Sequence, residues 1–367
     1  MSTGAALAAD SPLIIGAGPA GCMAAITLAR AGAKPTLIDR DAVVGDALCG
    51  GFLSWRSAEQ LRAIGLDLAK LGAHRVERLA LYAGDVTAEA ALPATGFGLS
   101  RHALDTAMRR HAVSSGAKLE IDRIRILSPQ AALGERQEWH AGSIFLAAGK
   151  HDVRGQARPR QAVDPALGLR IRIPPQARLT RLLAGKIELH LFPGGYAGIV
   201  CQEDGSANVC LALRKSMLLA AGGNPRVLLD QLAAAHRHFG ERMAFAAPDL
   251  AVDSIGAVPY GYIAKDTQAG LFRLGDQAAV IPSLAGEGMS IALTSGAMAA
   301  RHWLDGGAGA ATQYQQAMAQ AARRPVAVAK LIWEAAESRT LAAPLVSMAR
   351  LAPWLTNIAM RASRIAS

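Results

Sequence analysis

Short, wholly apolar runs alternate with helix-length segments over the first 150 residues, a pattern that predicts parallel strands buried on both faces. Leu13-Ile14-Ile15 runs into Gly16-Ala17-Gly18-Pro19-Ala20-Gly21. A helix-compatible stretch then reaches Ala31, with Gly32 as its stop, and Pro35–Asp39 reads as a second strand. Ser57–Leu71 reads as a helix. So does Ser100–Ser115, where Leu104, Ala107, Met108 and Ala112 share one stripe. Strands follow at Lys118–Ile121 and Ser143–Gly149. From about 160 to 265 the pattern changes to strand-like alternation: Leu167–Ile173, Lys186–Phe192, Ala197–Cys201 and Asn208–Leu213, interrupted by one helix near Pro225–Phe239. Leu271–Leu274 is again a short apolar strand, a long helix begins near Gly288, and the rest to Ser367 reads as helical.

The expected fold class is therefore α/β with α+β. A three-layer, Rossmann-like dinucleotide-binding domain takes 1–75, 96–160 and 265–305. An inserted, mainly antiparallel substrate domain takes 76–95 and 161–264, and a helical C-terminal region takes 306–367. With 51% hydrophobic and 19% charged residues, the 367-residue chain can bury a large core and is not disordered. The net charge of +10 could suit nucleic acid, an anionic membrane or an anionic cofactor. No dense basic run with interleaved aromatics appears, so nucleic acid is not an expected partner. Half the excess lies from Arg301 onward, where eight basic residues face three acidic ones.

The four cysteines form no CxxC. Cys201 and Cys210 could face each other across a hairpin, but reduced thiols are the expectation for a chain of this size. MSTGAALAAD lacks the charged start and apolar run of a signal peptide, and no run of about 18 apolar residues occurs. The expected location is cytoplasmic.

The fingerprint GxGxxG carries chemistry when a strand precedes it and a helix follows, as here. Gly16 permits the tight turn, Gly18 a close backbone approach to a pyrophosphate, and Gly21 close helix–strand packing. Ala17, Pro19 and Ala20 complete a turn whose free N–H groups favour anions at the helix start. Asp39, 18 residues past Gly21, ends the second strand where a carboxylate can accept from an adenosine ribose, with Arg40 beside it. Far downstream, Leu274-Gly275-Asp276 and Pro282-Ser283-Leu284-Ala285-Gly286-Glu287-Gly288-Met289 add a second set. The Asp276 carboxylate can meet a flavin's polyol chain, and N–H groups at the next helix start can meet the ring edge where negative charge develops on reduction.

One N-terminal GxGxxG, a distal Gly-Asp and then PxxGEG resemble the p-hydroxybenzoate-hydroxylase-like flavoproteins, and the resemblance implies FAD as cofactor. Arg101, in Leu99-Ser100-Arg101-His102, matches the arginine that contacts the cofactor in that family. Gly45-Asp46-Ala47-Leu48-Cys49-Gly50-Gly51 is similar to the cysteine–glycine segment beside the flavin in geranylgeranyl reductases. Leu191-Phe192-Pro193-Gly194-Gly195-Tyr196 resembles their lipid-cavity segment, and Val258-Pro259-Tyr260-Gly261 also fits. That branch implies hydride transfer from reduced FAD to an alkene of an apolar isoprenoid, polyketide or aromatic substrate. Cys49 is then the nominated proton donor and Tyr196 the second candidate. The packing alternative for Cys49 is a small residue beside two turn glycines, and Cys22 reads as core.

Glu287 has two readings, flavin neighbour or helix-start carboxylate. The strand ending Ala147-Ala148-Gly149-Lys150-His151-Asp152 lacks the Asp-Gly tied to NAD(P)H handling, which opens the way to electrons from a reductase or carrier protein. Lys150 and His151 read either as anion-binding or as a solvated turn. The tryptophan-rich halogenase signature is absent. Monooxygenation of an aromatic or polyketide-type substrate is the main alternative, and a flavin-binding maturation or sensor protein without turnover the second. Thr340–Ser367, apolar with Arg350, Arg361, Arg364 and Trp354, reads either as a packed helix or as a peripheral membrane contact.

Overall fold

A computed structural model describes residues 5–6, 11–128, 131–159 and 162–365. In chain order, β1 (Leu13–Ile15), α1 (Pro19–Arg30) and β2 (Thr36–Asp39) come first, followed by α2 (Trp55–Ala63). Next are the hairpin β3 (His74–Ala83) and β4 (Val86–Gly98), then α3 (Arg101–Ser114), β5 (Lys118–Ile121) and β6 (Ile144–Leu146). The middle supplies β7 (Ala166–Ile173), α4 (Ala177–Leu183), β8 (Gly185–Phe192), β9 (Gly195–Cys201) and β10 (Ala207–Arg214). It continues with α5 (Lys215–Ala220), α6 (Pro225–Ala235), α7 (Arg237–Met243) and β11 (Asp253–Val258). Last come β12 (Leu271–Arg273), α8 (Gly288–Gly306), α9 (Ala311–Ala336), α10 (Ala342–Leu351) and α11 (Pro353–Ala362).

The first sheet is parallel throughout, in the order β12-β6-β1-β2-β5. Strand alternation divides its side chains between two layers. Ile14, Leu37, Phe145 and Phe272 pack with α1, α3 and α8, while Leu13, Ile15, Ile144, Leu146 and Leu271 pack with a small sheet carrying Leu127, Ala132 and Trp139. The result is the expected three-layer, Rossmann-like arrangement. The α1–α8 contact is tight because Gly296 lies where a Cβ would strike the Ala20 carbonyl.

The second sheet runs β11-β7-β10-β9-β8-β3-β4 and ends on Phe52–Leu53. It is antiparallel except between β8 and β3, which run parallel. One face carries Leu169, Ile171, Phe192, Ile199 and Val209 against α4, α6 and α7. The other carries Leu79, Leu81, Leu189, Leu191 and Tyr196, facing Trp333, Val346 and Ala349 of the C-terminal helices.

Three local expectations change. The helix expected over 57–71 ends at Ala63, because Gly65 takes φ +88° and the chain turns back on itself. The single helix near 225–239 is two, divided at His236, whose extended backbone (φ −127°, ψ 97°) breaks the helical path. Cys201 pairs with Ala207 and Cys210 with Gly198, so these two cysteines are not opposite one another, and all four are free thiols.

Candidate active site

The turn between β1 and α1 is built by its glycines. Gly16 takes φ +105°, and a Cβ there would overlap the Ala147 carbonyl; one on Gly21 would overlap the Gly16 carbonyl. Gly18 is different: its nearest neighbour is the Arg101 Nη2, 3.6 Å from where a Cβ would stand, so the backbone lies open to a ligand. Asp39 sets the turn's shape. Its Oδ2 accepts from Ala17 N at 2.8 Å and its Oδ1 from Asp41 N at 3.0 Å, with Arg109 Nη2 at 3.2 Å. Arg40 turns outward to Asp41 at 2.8 Å.

Arg101 is aimed over this turn by the start of α3. The Ser100 side chain accepts from Ala103 N at 3.0 Å, and Ser100 N donates to Glu203 Oε2 at 2.8 Å, which fastens the helix start to the second sheet. Arg101 then donates to both oxygens of Asp105, at 2.8 and 2.6 Å. This fork keeps the guanidinium charged and still.

Across the cavity, two turns are knit by residues the sequence did not single out. Arg158, its side chain 1% exposed, donates to Asp152 Oδ1, the Asp276 carbonyl and the Lys150 carbonyl at 2.7, 2.9 and 2.8 Å. Gln277 Nε2 donates to the carbonyls of Gly149 and His151. Arg158 lies in a stretch with no motif; Gln277 directly follows the Gly275-Asp276 pair, and its position beside that motif was the signal that could have found it. The Asp276 carboxylate itself faces the cavity with no partner among the described residues. Gly50, Gly149 and Gly288 also face open space where side chains would stand.

The segment carrying Cys49 is held from several sides. Arg170 Nη1 donates to Asp46 Oδ2 at 2.9 Å, Lys150 Nζ to the Leu48 carbonyl at 2.8 Å, and Asn208 Nδ2 to the Cys49 carbonyl at 3.0 Å. Lys150 uses one donor of its ammonium to position the cysteine loop, and it also lines the cavity. Cys49 is half-buried on the cavity wall.

The cavity, of about 360 Å³, runs from Gly18, Pro19, Ala20 and Arg101 past Cys49 and Gly50, between Gly149, Gly275 and Asp276 and the Gly286–Gly288–Met289 turn. Beyond them it is walled by Leu79, Leu81, Leu189 and Leu191 and closed by α10 and α11. Among these apolar walls a single hydroxyl cluster stands out. Tyr196 and Tyr260 each hydrogen-bond Ser283 Oγ at 2.6 Å, and burial raises both phenols, so they are neutral. Three hydroxyls make two bonds among themselves, which leaves one O–H for a cavity occupant.

Pro282 and Glu287 stand behind the wall rather than on it. Glu287 is completely buried at the start of α8, and its Oε1 lies 2.6 Å from Arg364 Nη1. Burial raises its carboxyl to about 7, against the pull of Arg364. Arg364 also donates to the Ala285 carbonyl at 2.8 Å and stacks 4.3 Å over Trp55. The helix-start reading of Glu287 therefore describes its surroundings, with an arginine from the chain's last residues as the partner no local pattern could reveal.

The FAD binding domain family matches residues 11–147. Over 315 residues the chain is 25% identical to digeranylgeranylglycerophospholipid reductase 2 of Methanopyrus kandleri, an alignment covering 78% of this chain and 75% of that protein. Over 326 residues it is 25% identical to menaquinone reductase of Mycobacterium tuberculosis, with the same coverage of 78% and 75%. Residues 11–147 carry an FAD-binding domain, and the chain is an FAD-dependent oxidoreductase. The flavoprotein's fold also superposes on the flavin-dependent brominase Bmp2, with TM-score 0.74 and 14% identity over 96% of this chain and 92% of that one; the likeness is one of fold. Among the described residues of the flavoprotein, no helix is long and apolar enough to cross a membrane.

Proposed function

We propose that this flavoprotein reduces a carbon–carbon double bond of an apolar, isoprenoid-like molecule. The observation that carries the reading is one continuous cavity, polar and glycine-lined at one end and leucine-lined at the other, with Cys49 at the junction. The two aligned relatives, named for reductases of a digeranylgeranyl lipid and a menaquinone, support the same substrate class.

In this reading Gly16, Ala17 and Pro19 shape the turn, Gly18, Ala20 and Gly21 offer N–H groups to the FAD pyrophosphate, and Arg101 adds a fixed positive charge. Asp39 holds that turn and keeps lone pairs for the ribose, with Arg40 at its rim. Asp276 accepts from the polyol, while Gly50, Gly149, Gly275, Gly286, Gly288 and Met289 leave room for the ring; Pro282 and Glu287 set the turn behind it. Bound and reduced, FAD supplies two-electron hydride chemistry. The chain's leucines exclude water, Cys49 holds the proton that the second alkene carbon needs, and the Tyr196–Ser283–Tyr260 cluster fixes any polar head on the substrate. No Asp-Gly follows β6, so we assign the electrons to a reductase or carrier protein rather than to NAD(P)H directly.

Photoreducing the holoenzyme without oxygen and adding a prenyl quinone or geranylgeranyl lipid tests the reading. Reoxidation of the flavin with saturation of one double bond, seen by mass spectrometry, is expected. Reoxidation that needs air, with substrate-dependent oxygen uptake and an added oxygen atom, would replace reduction by monooxygenation. A flavin that no substrate reoxidises or turns over would point to the role without turnover.

A further inference from the structure

Helices α10 and α11 have apolar residues on both sides. Leu345, Ala349, Ala359 and Met360 look into the cavity. On the opposite side Leu351 is 80% exposed, Trp354 62% and Ile358 54%. A helix that only closes a cavity in water carries polar residues outward, and α11 departs further still, having no fully buried residue. Met348 joins the two sides, since it lines the cavity and is also 48% exposed, which puts the cavity's mouth at the edge of this patch.

The segment that forms the patch carries charge of one sign. The last thirty residues, from Ser338, contain four arginines and no acidic residue. Arg364 turns inward to Glu287 and ties the end of the chain to the body of the protein. Arg339, Arg350 and Arg361 are exposed and have no ion-pair partner among the described residues. Arg350 adjoins Leu351, and Arg361 follows Ile358 by one turn, so cations border the apolar stripe. Exposed leucine, tryptophan and isoleucine bordered by unpaired arginines complement a lipid bilayer with anionic headgroups: the side chains enter the acyl boundary and the guanidiniums meet the phosphates.

We propose that α10 and α11 form a peripheral docking surface for an anionic membrane, which holds the cavity mouth at Met348 against the bilayer so that a lipid substrate passes between them without crossing water. The docking stands on the surface alone; the passage of substrate rests on the reading given under Proposed function.

Sedimentation of the FAD-loaded full chain with phosphatidylcholine vesicles, with and without about 30% phosphatidylserine, tests it. Wild-type protein is expected to pellet with the anionic vesicles, to stay in solution with neutral ones, and to be released by 1 M salt. Arg350→Gln with Arg361→Gln should weaken anionic binding roughly 30-fold. Leu351→Ser, Trp354→Ser and Ile358→Ser together should weaken it more than about tenfold. None of these five residues lines the cavity, so turnover of a detergent-dispersed substrate should be unchanged while turnover of a vesicle-embedded one falls.

Wild-type protein remaining in the supernatant, or pelleting equally well after the triple substitution, would overturn the proposal. A dimer in sedimentation velocity that the triple substitution converts to monomer would also overturn it, by showing a second copy on the patch. Vesicle binding as expected but with no turnover of any prenyl substrate would support the surface and overturn the substrate reading.

Discussion

The role proposed for Arg101 joins stability to cofactor affinity, and the two can be separated. Its fork to Asp105 consists of two charge-assisted bonds of 2.8 and 2.6 Å between side chains 19% and 9% exposed. Arg101→Ala leaves the Asp105 carboxylate buried without its cation, and breaking such a pair costs about 3–5 kcal/mol. It also removes the guanidinium above Gly18, where a phosphate contact is worth about 1.5–3 kcal/mol, or roughly 10- to 150-fold in FAD affinity. Urea unfolding of the apoprotein should show the first loss, and quenching of FAD fluorescence on titration the second. Arg101→Ala with Asp105→Ala removes both partners, so most of the stability should return while the affinity should not. Arg101→Lys keeps the charge but not the fork, and should fall between. If the double variant binds FAD as tightly as wild type, Arg101 serves only α3 and its place in the cofactor site is refuted.

Cys49→Ala should slow alkene saturation by about 100-fold, the lower end of what a positioned proton donor contributes, and leave the rate of flavin photoreduction unchanged; equal slowing by Tyr196→Phe alone would move the donor to the hydroxyl cluster. Glu188, completely buried, takes two bonds of 2.9 Å from Arg242 and one of 3.1 Å from His190, and these partners hold its carboxyl down to about 2 against an ordinary 4.5. Because the folded value is the lower one, this stabilisation is complete above about 4.5 and lost as pH falls towards 2. Glu188→Gln should cost about 3–5 kcal/mol at neutral pH by urea denaturation and flatten the acid limb. Glu287 has the opposite sign: its folded value of about 7 lies above the ordinary 4.5, so its contribution is fullest below 4.5 and is lost as pH rises to 7. Relative to Glu287→Gln, wild-type stability should decline by about 3 kcal/mol across that window, and a pH-independent difference between the two proteins would refute the buried-carboxyl account.

What could be read from the chain alone was whatever local stereochemistry dictates. Gly16, Gly18 and Gly21 specify the β1–α1 turn: Gly16 takes a positive φ and a side chain on Gly21 would collide with the Gly16 carbonyl, both local constraints, while the fold adds the Ala147 carbonyl against Gly16. Apolar runs of three residues buried on both faces announced the parallel sheet, and strand alternation announced the second sheet. Cys49 and Tyr196 were likewise nominated from their local segments, and the fold places both on one cavity. Helix limits were less legible, because the turns at Gly65 and His236 interrupt stretches whose composition would continue a helix.

Only the folded chain decided which partners these groups have. Asp39, expected to accept from an adenosine ribose, also accepts from the backbone of the β1–α1 turn, and Lys150 holds a loop 102 positions earlier. Ser283 joins two tyrosines, 87 and 23 residues away. Arg364, just past the end of α11, reaches Glu287 at the start of α8. Each of these bonds depends on where distant backbones cross, and local propensity has no hold over that. The outward apolar face of α10 and α11 belongs with them: leucine, tryptophan and isoleucine look the same in sequence whether a helix buries or displays them, and only packing against the cavity showed which side was left uncovered.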